Sequence, residues 1–435
     1  MGKPSRIGFA SFSVKGSTGE VTKTQYLFRE LRSSLWVKPA IMGLAAVAWV
    51  SLSYKGDAFL PDKLKIGIER EILINLLGIM ASTMLTVATF SVAAMVGAFS
   101  AVSTTATPRA TRIVMQDTSM QNSLTAFLAA FIYAIVSLVA ISLGNYYGAG
   151  GRLLLFAGFC GMVVWVLISF VRWVDRVSKL GRMSDTLKRV EDACLDAFGS
   201  KDTMGTLGAK KADGSSVSGG RVKADIIGYV QNIDIAALDE IAAEMKTTIR
   251  ILERPGAFVD PHDSLVIVKD HSSLEEHTVE KIRSAFQLGD TRRIGSDPRF
   301  GMILLSEIAD RALSPAVNDP GTAIAVLGIQ IRLIEKWSKH LSQTNEVKYE
   351  NVEVTPLDPE DLLDDAFTAI SRDGAAMFEV GSRIQKSLAV LTRLGQGNLT
   401  AAARRHSRLA MEQAEKSLAT ESHREIIRKL AEAVG

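Results

Sequence analysis

Cysteine is nearly missing from this chain: Cys160 and Cys194 are the only two in 435 residues. Two thiols cannot build a disulfide framework or a four-cysteine zinc site. Histidine is sparse too, with six residues and no helical HExxH pair. His271 with His277, or His262 with Asp263, are the closest approach to a ligand grouping, and they read as loop residues. There is no GxxxxGKS/T phosphate loop, no GxSxG elbow and no GxGxxG turn. Enzyme classes therefore lack an anchor, and no catalytic residue, cofactor or metal is expected. A surplus of charge is missing as well. Lysine and arginine number 50 against 47 acidic residues, a net of +3, which excludes a strongly basic nucleic-acid binder.

Charge vanishes altogether from three stretches: Ile72 to Pro108, Gln121 to Gly151 and Leu153 to Val171. About 20 apolar helical residues cross the hydrocarbon core of a bilayer. Four segments meet that requirement, at about 35–54, 72–104, 121–143 and 153–173. The stretch before them, 1–34, is polar and basic, without the apolar centre of a cleavable signal peptide. Basic residues crowd the N-terminal flank (Lys3, Arg6, Lys15, Lys23, Arg29, Arg32, Lys38) and follow the fourth span (Arg172, Arg176, Lys179, Arg182). The positive-inside rule then puts both termini on the cytoplasmic side of the membrane. Arg109 and Arg112, in the loop after the second span, are expected to meet lipid headgroups on that same side.

The second span differs from the others. Asn75, Gly78, Ser82, Thr86, Thr89, Ala93, Gly97, Ser100 and Thr104 recur every three or four residues, a continuous stripe of small and hydroxyl side chains. Such a stripe serves close helix packing, or it lines a wet path in which hydroxyls replace part of an ion's hydration. No span carries a charge near its middle, which argues against a proton-coupled transporter or a voltage sensor.

Beyond the spans the pattern becomes that of a water-exposed α+β domain. An amphipathic helix and a Gly/Ser/Lys-rich flexible linker fill 176–220, a small β-rich unit 221–272, and a helical assembly 273–435. The strand–turn–strand run in the β unit resembles half of a biotinyl/lipoyl-type barrel, but lacks the modifiable lysine and reads as structural. The expected fold class is thus mainly α: a four-helix transmembrane domain followed by a cytoplasmic unit of sheet and bundle.

The densest polar grouping spans 289–322 and includes Arg292, Arg293, Asp297, Arg299, Asp310, Ser314, Asn318 and Asp319. Ser314 and Asn318-Asp319 are expected to cap successive helices. With the arginines close in sequence, the outward-pointing N–H groups could form an anion site; alternatively the carboxylates neutralise the arginines in a structural ion-pair network. The stretches Asp297-Pro298-Arg299-Phe300-Gly301 and Ala312-Leu313-Ser314-Pro315-Ala316-Val317-Asn318-Asp319-Pro320 carry a resemblance that covers nearly the whole chain. With Gly228-Tyr229-Val230-Gln231, Arg254-Pro255-Gly256 and the four-span half, they resemble the bacterial membrane family catalogued as domain of unknown function 2254. That resemblance implies a membrane protein but supplies no activity and no catalytic residues. The leading expectation is a homo-oligomeric, channel-like or transport protein gated by its cytoplasmic domain. Its rival is a membrane-anchored sensor or scaffold that binds an anionic ligand or a protein. The expected partners are the lipid bilayer, further copies of the chain and a small anion or ion, with no nucleic acid.

Overall fold

The computed structural model describes residues 37–56, 61, 67–105, 107–115, 118–143, 147–179, 182–198, 205–341, 347–394 and 397–435. The N-terminal segment 1–34 and its basic residues lie outside the described residues, as do the side chains of Thr104 and Arg112. The chain divides into two compact units, the first reaching Val92 and resuming from Thr118 to Val174, the second comprising Ala93–Asp117 and Asp175–Gly435.

In the first unit the charge-free runs form helices because nothing in them competes with the intrahelical ladder. These are α1 (Val37–Ser53), α2 (Arg70–Thr105), α4 (Thr118–Ser142) and α5 (Ala149–Lys179). Among the described residues, three helices are long and apolar enough to cross a membrane, within α2, α4 and α5; α1 is a shorter apolar helix of 17 residues. Glycine lets α1 and α4 approach: a methyl group on Gly43 would lie 3.3 Å from Ile132. Gly158 of α5 leaves room for the Tyr133 hydroxyl, which donates to the Leu155 carbonyl at 2.6 Å, and for the Trp49 indole. Trp173 packs edge-on against Phe90 and Phe127.

The second unit holds two cores. One is helical, built from α6 (Met183–Phe198), α9 (Pro298–Leu313), α10 (Pro320–Leu341), α11 (Pro359–Asp373), α12 (Phe378–Leu394) and α13 (Asn398–Ser417), with Trp337 and Phe367 wholly buried. Ala110, on the short helix α3 (Pro108–Met115) that follows the second span, is wholly buried in this same core. The last helix, α14 (Glu421–Glu432), packs through Ile427 onto a small satellite cluster with Ala414 and Leu418.

The other core lies within strands. A five-stranded mixed sheet runs in the order β1 (Ala209–Lys211), β8 (Tyr349–Val354), β4 (Ile249–Ile251), β6 (Ser264–Lys269), β2 (Gly219–Lys223). A three-stranded antiparallel sheet runs β5 (Phe258–Val259), β3 (Gly228–Ile233), β7 (Phe286–Gly289). Two helices, α7 (Ile235–Glu244) and α8 (Glu276–Ser284), add Leu238 and Ile282 to the core.

This corrects the expected segmentation in three places. The stretch expected to be a flexible linker contributes β1, paired in parallel with β8, and the first residues of β2. Within the stretch expected to be a helical assembly, Tyr349–Val354 forms β8, where Val352 and Val354 point into the core while Glu353 meets the Arg250 guanidinium across the ladder. In the same stretch α8 ends at Ser284, and Phe286–Gly289 pairs with β3. The β unit is therefore completed by strands from the segment expected to be wholly helical, and it is a pair of sheets rather than half a barrel. In each case a few alternating or β-branched residues were too short a signal until long-range pairing partners were in place.

Candidate functional site

Along α2, residues advance by 100° each. Leu73, Leu77, Met80, Ala88, Ser91 and Met95 are buried and cluster on one side of the helix. Asn75, Ser82, Thr86, Thr89, Ala93, Gly97 and Ser100 are exposed and centre on the opposite side, about 180° away at that pitch. A methyl group added to Gly78 or Gly97 would meet nothing within 4 Å. Among the described residues, then, these stripe positions lie on the less covered side of α2. Ser82, Thr86 and Thr89 each donate their hydroxyl to the carbonyl four residues earlier, at 3.1, 2.9 and 2.9 Å. The donors are spent on the helix's own backbone while oxygen lone pairs face outward.

The polar cluster is arranged quite differently. Asp297, 2% exposed, accepts from the Phe300 N–H at 3.1 Å and caps α9, whose first residue is Pro298. The same carboxylate takes a bidentate pair from Arg292, at 2.7 and 3.0 Å. The Arg292 guanidinium lies over the Phe300 ring, 5.3 Å from its centre. Gly256, with φ +96°, passes so close that a methyl group there would sit 2.3 Å from the Asp297 carboxylate. Beside it Arg254 donates to the Gly205 and Thr355 carbonyls, and burial lowers its pKa to about 10. Arg299 holds Asp365 at 2.6 Å and Asp361 at 2.7 Å, tying α9 to α11.

Asp319 caps α10 through the Thr322 N–H and hydroxyl, at 3.1 and 2.6 Å, and these bonds lower its pKa. Asn318 takes the left-handed conformation, φ 51°, to make that turn, and its N–H reaches the Ser314 carbonyl at 2.8 Å. Ser314 caps nothing at a helix start: it ends α9, donating to the Arg311 carbonyl at 2.7 Å. Arg293 precedes a 3-10 turn, Ile294–Ser296. The helix N-termini of the expected anion site are met by side chains of the chain itself. Both helix N-termini carry the chain's own carboxylates; Arg292 is bound to one of them, Asp297, and Arg299 to Asp361 and Asp365. Of the eight cluster residues, Arg292, Asp297 and Arg299 take part in ion pairs.

Asp310 stands apart. Its Oδ1 is buried without a hydrogen-bond partner, and burial, with Asp373 and Glu307 nearby, raises its pKa to about 7. One turn away on α9, Glu307 pairs with Arg109 of α3. Arg109, expected at lipid headgroups, is exposed and has this acidic partner on α9.

Sequence reasoning missed a further group. Glu360 and Asp364 on α11 and His406 on α13 bring three ligand-type atoms within 4.8 Å of one another. The i, i+4 carboxylates were a visible cue; the distant histidine was not.

Apolar membrane-length helices joined to a polar, cap-rich helical and mixed-sheet unit define a membrane-associated protein of several apolar helices. The chain belongs to the predicted membrane protein family DUF2254, whose model matches residues 32–390. Similar curated proteins are an uncharacterised protein of Mycobacterium bovis and uncharacterised proteins from two strains of Mycobacterium tuberculosis. Each is 23% identical over 354 residues, 74% of this chain. The chain spans 64% of the length of these relatives. No solved structure matches.

Proposed function

We propose that the chain is a four-span bacterial inner-membrane protein, with both termini cytoplasmic, that assembles with further copies of itself. In that assembly the stripes of neighbouring second spans face one another and line a path for a small solute or ion. The C-terminal unit gates that path. The observation that carries this reading is the placement of the stripe on the side of α2 opposite its packed face. A lipid-facing surface gains nothing from a row of hydroxyls and glycines, whereas a helix interface or a hydrated path does.

Length adds support. The 36 residues of α2 extend about 54 Å at 1.5 Å each, well beyond a hydrocarbon core of about 30 Å. Its last turns, from Ala93, belong to the C-terminal unit, where Ala110 and the Arg109–Glu307 pair secure the helix that follows. A rearrangement of that unit therefore reaches the stripe through continuous helix. The rival reading, a membrane-anchored anion sensor, draws less support because Arg292 and Arg299 already hold carboxylates.

Flux through the purified protein in planar bilayers, paired with disulfide cross-linking of Thr86→Cys in native membranes, tests the proposal. Cross-links between copies, and flux cut at least tenfold by Thr86→Leu with Thr89→Leu, are expected, taking about 1.4 kcal/mol as one decade. Flux indifferent to both substitutions, or an absence of cross-linked copies, overturns the lining role.

A further inference from the structure

Glu360 and Asp364 lie one turn apart in the first half of α11, so their carboxylates share a face. Helix α13 packs across that face and presents Arg405 and His406. The His406 side chain is 3% exposed, and its Nε2 lies 3.2 Å from the Asp364 carboxylate. Arg405 reaches both carboxylates and places Nη2 3.2 Å from the same Nε2. Nε2 lies as close to the Asp364 carboxylate, which accepts, as to the guanidinium, which donates, so its role follows the tautomer of the ring. Two carboxylates and an imidazole nitrogen thus converge on one positive charge.

We propose that Glu360, Asp364 and His406 bind one divalent transition-metal ion, with Arg405 as the cation that holds the site until the metal enters. The donor set of one imidazole and two carboxylates suits zinc and its neighbours, and it leaves coordination positions for water. Calcium and magnesium, which favour all-oxygen shells, fit it poorly. The ion has a way in: Glu360, Asp364 and Arg405 are 35%, 46% and 39% exposed, and only the histidine is sealed in the core. Displacing Arg405 is a modest obstacle, because exposed ion pairs contribute a factor of about five or less each. Three simultaneous ligands outweigh that. A bound ion would clasp α11 to α13, elements far apart in sequence, and this inference stands independently of any role for the second-span stripe.

The test is calorimetric titration of zinc chloride into chelator-treated, full-length protein in detergent, with melting curves confirming that each variant folds. One ion per chain, bound in the micromolar range, is expected for the unaltered protein. Glu360→Gln with Asp364→Asn should weaken binding at least tenfold. Arg405→Gln should tighten it about fivefold by removing the competitor. His406→Gln should lose it, and the half-exposed carboxylate variants keep the test decisive if that buried substitution fails to fold. Zinc binding that ignores the carboxylate substitutions places the metal on other histidines and overturns the proposal. Saturable binding by Arg405→Gln alone also overturns it, since arginine would then be the permanent occupant. No saturable binding by either protein does the same.

Discussion

Polar groups in the second span and in the helical core of the C-terminal unit are satisfied by opposite strategies. On α2 the hydroxyls of Ser82, Thr86 and Thr89 turn back to carbonyls of their own helix. Around α9, Asp297, Arg292, Arg299 and Asp365 bond one another across turns and between helices. The first arrangement fixes nothing beyond its own helix and leaves a face free for a neighbour. The second fixes tertiary structure and leaves little free for a ligand. Substitutions in the two regions should therefore fail in different ways, the core ones by unfolding and, under the proposed function, the stripe ones by loss of assembly or flux.

The sharpest version of that contrast is Asp297→Ala. It removes a helix cap and strands the mostly buried Arg292, so it should cost about 3 kcal/mol or more and lower the melting temperature in detergent by several degrees. A melting curve matching the unaltered protein would erase the claim that this network holds the core.

Next in size is Gly301→Ala on α9. The added methyl group would fall 2.4 Å from the buried Cys194 sulfur. Helix propensity favours alanine by up to about 1 kcal/mol, but overpacking costs about 1–3 kcal/mol, so net destabilisation of about 1 kcal/mol is expected by chemical or thermal denaturation. Restoring stability with Cys194→Ser or Cys194→Ala would locate the clash.

Asp310 lies between the two extremes, a largely buried carboxyl whose Oδ1 has no hydrogen bond. Its folded pKa stands near 7, above the ordinary aspartate range. Between about pH 4 and pH 7 the folded chain keeps a proton that the unfolded chain has lost, so stability falls as pH rises through that window. Asp310→Asn should flatten the fall and melt higher than the unaltered protein at pH 8, while matching it near pH 4. Parallel melting-versus-pH curves for the two proteins would show that Asp310 titrates normally.

The smallest expected effect is that of Thr86→Val on folding. The side chain is exposed within the chain and its hydroxyl bonds only its own helix, so stability should shift by less than about 0.5 kcal/mol. A loss of several kcal/mol would mean that the stripe is buried in the folding unit, and the contrast between the two regions would fail.

Much of this was legible along the chain. The pairs Asp297-Pro298, Asp319-Pro320 and Asp358-Pro359 mark helix starts because an aspartate caps and a proline needs no N–H donor at the first helical position. Missing charge located the apolar helices to within a few residues. The candidate site was only half legible. Arg292, Asp297 and Arg299 stood out as a group, but Arg299's partners, Asp361 and Asp365, come from a later helix. Ser314 read as the start of a helix and proved to be the end of one, because a hydroxyl near a helix terminus can bond in either direction.

What the sequence by itself determined follows from local physics: where apolar runs make helices, where caps begin them, and which side chains on α2 share a side. What only the tertiary structure decided is which of those sides is buried, that β8 and β7 complete sheets begun far upstream, and that His406 meets Glu360 and Asp364. Periodicity assigns residues to a face, but partners for that face come from distant segments whose pairing is set by the free energy of the whole packed core.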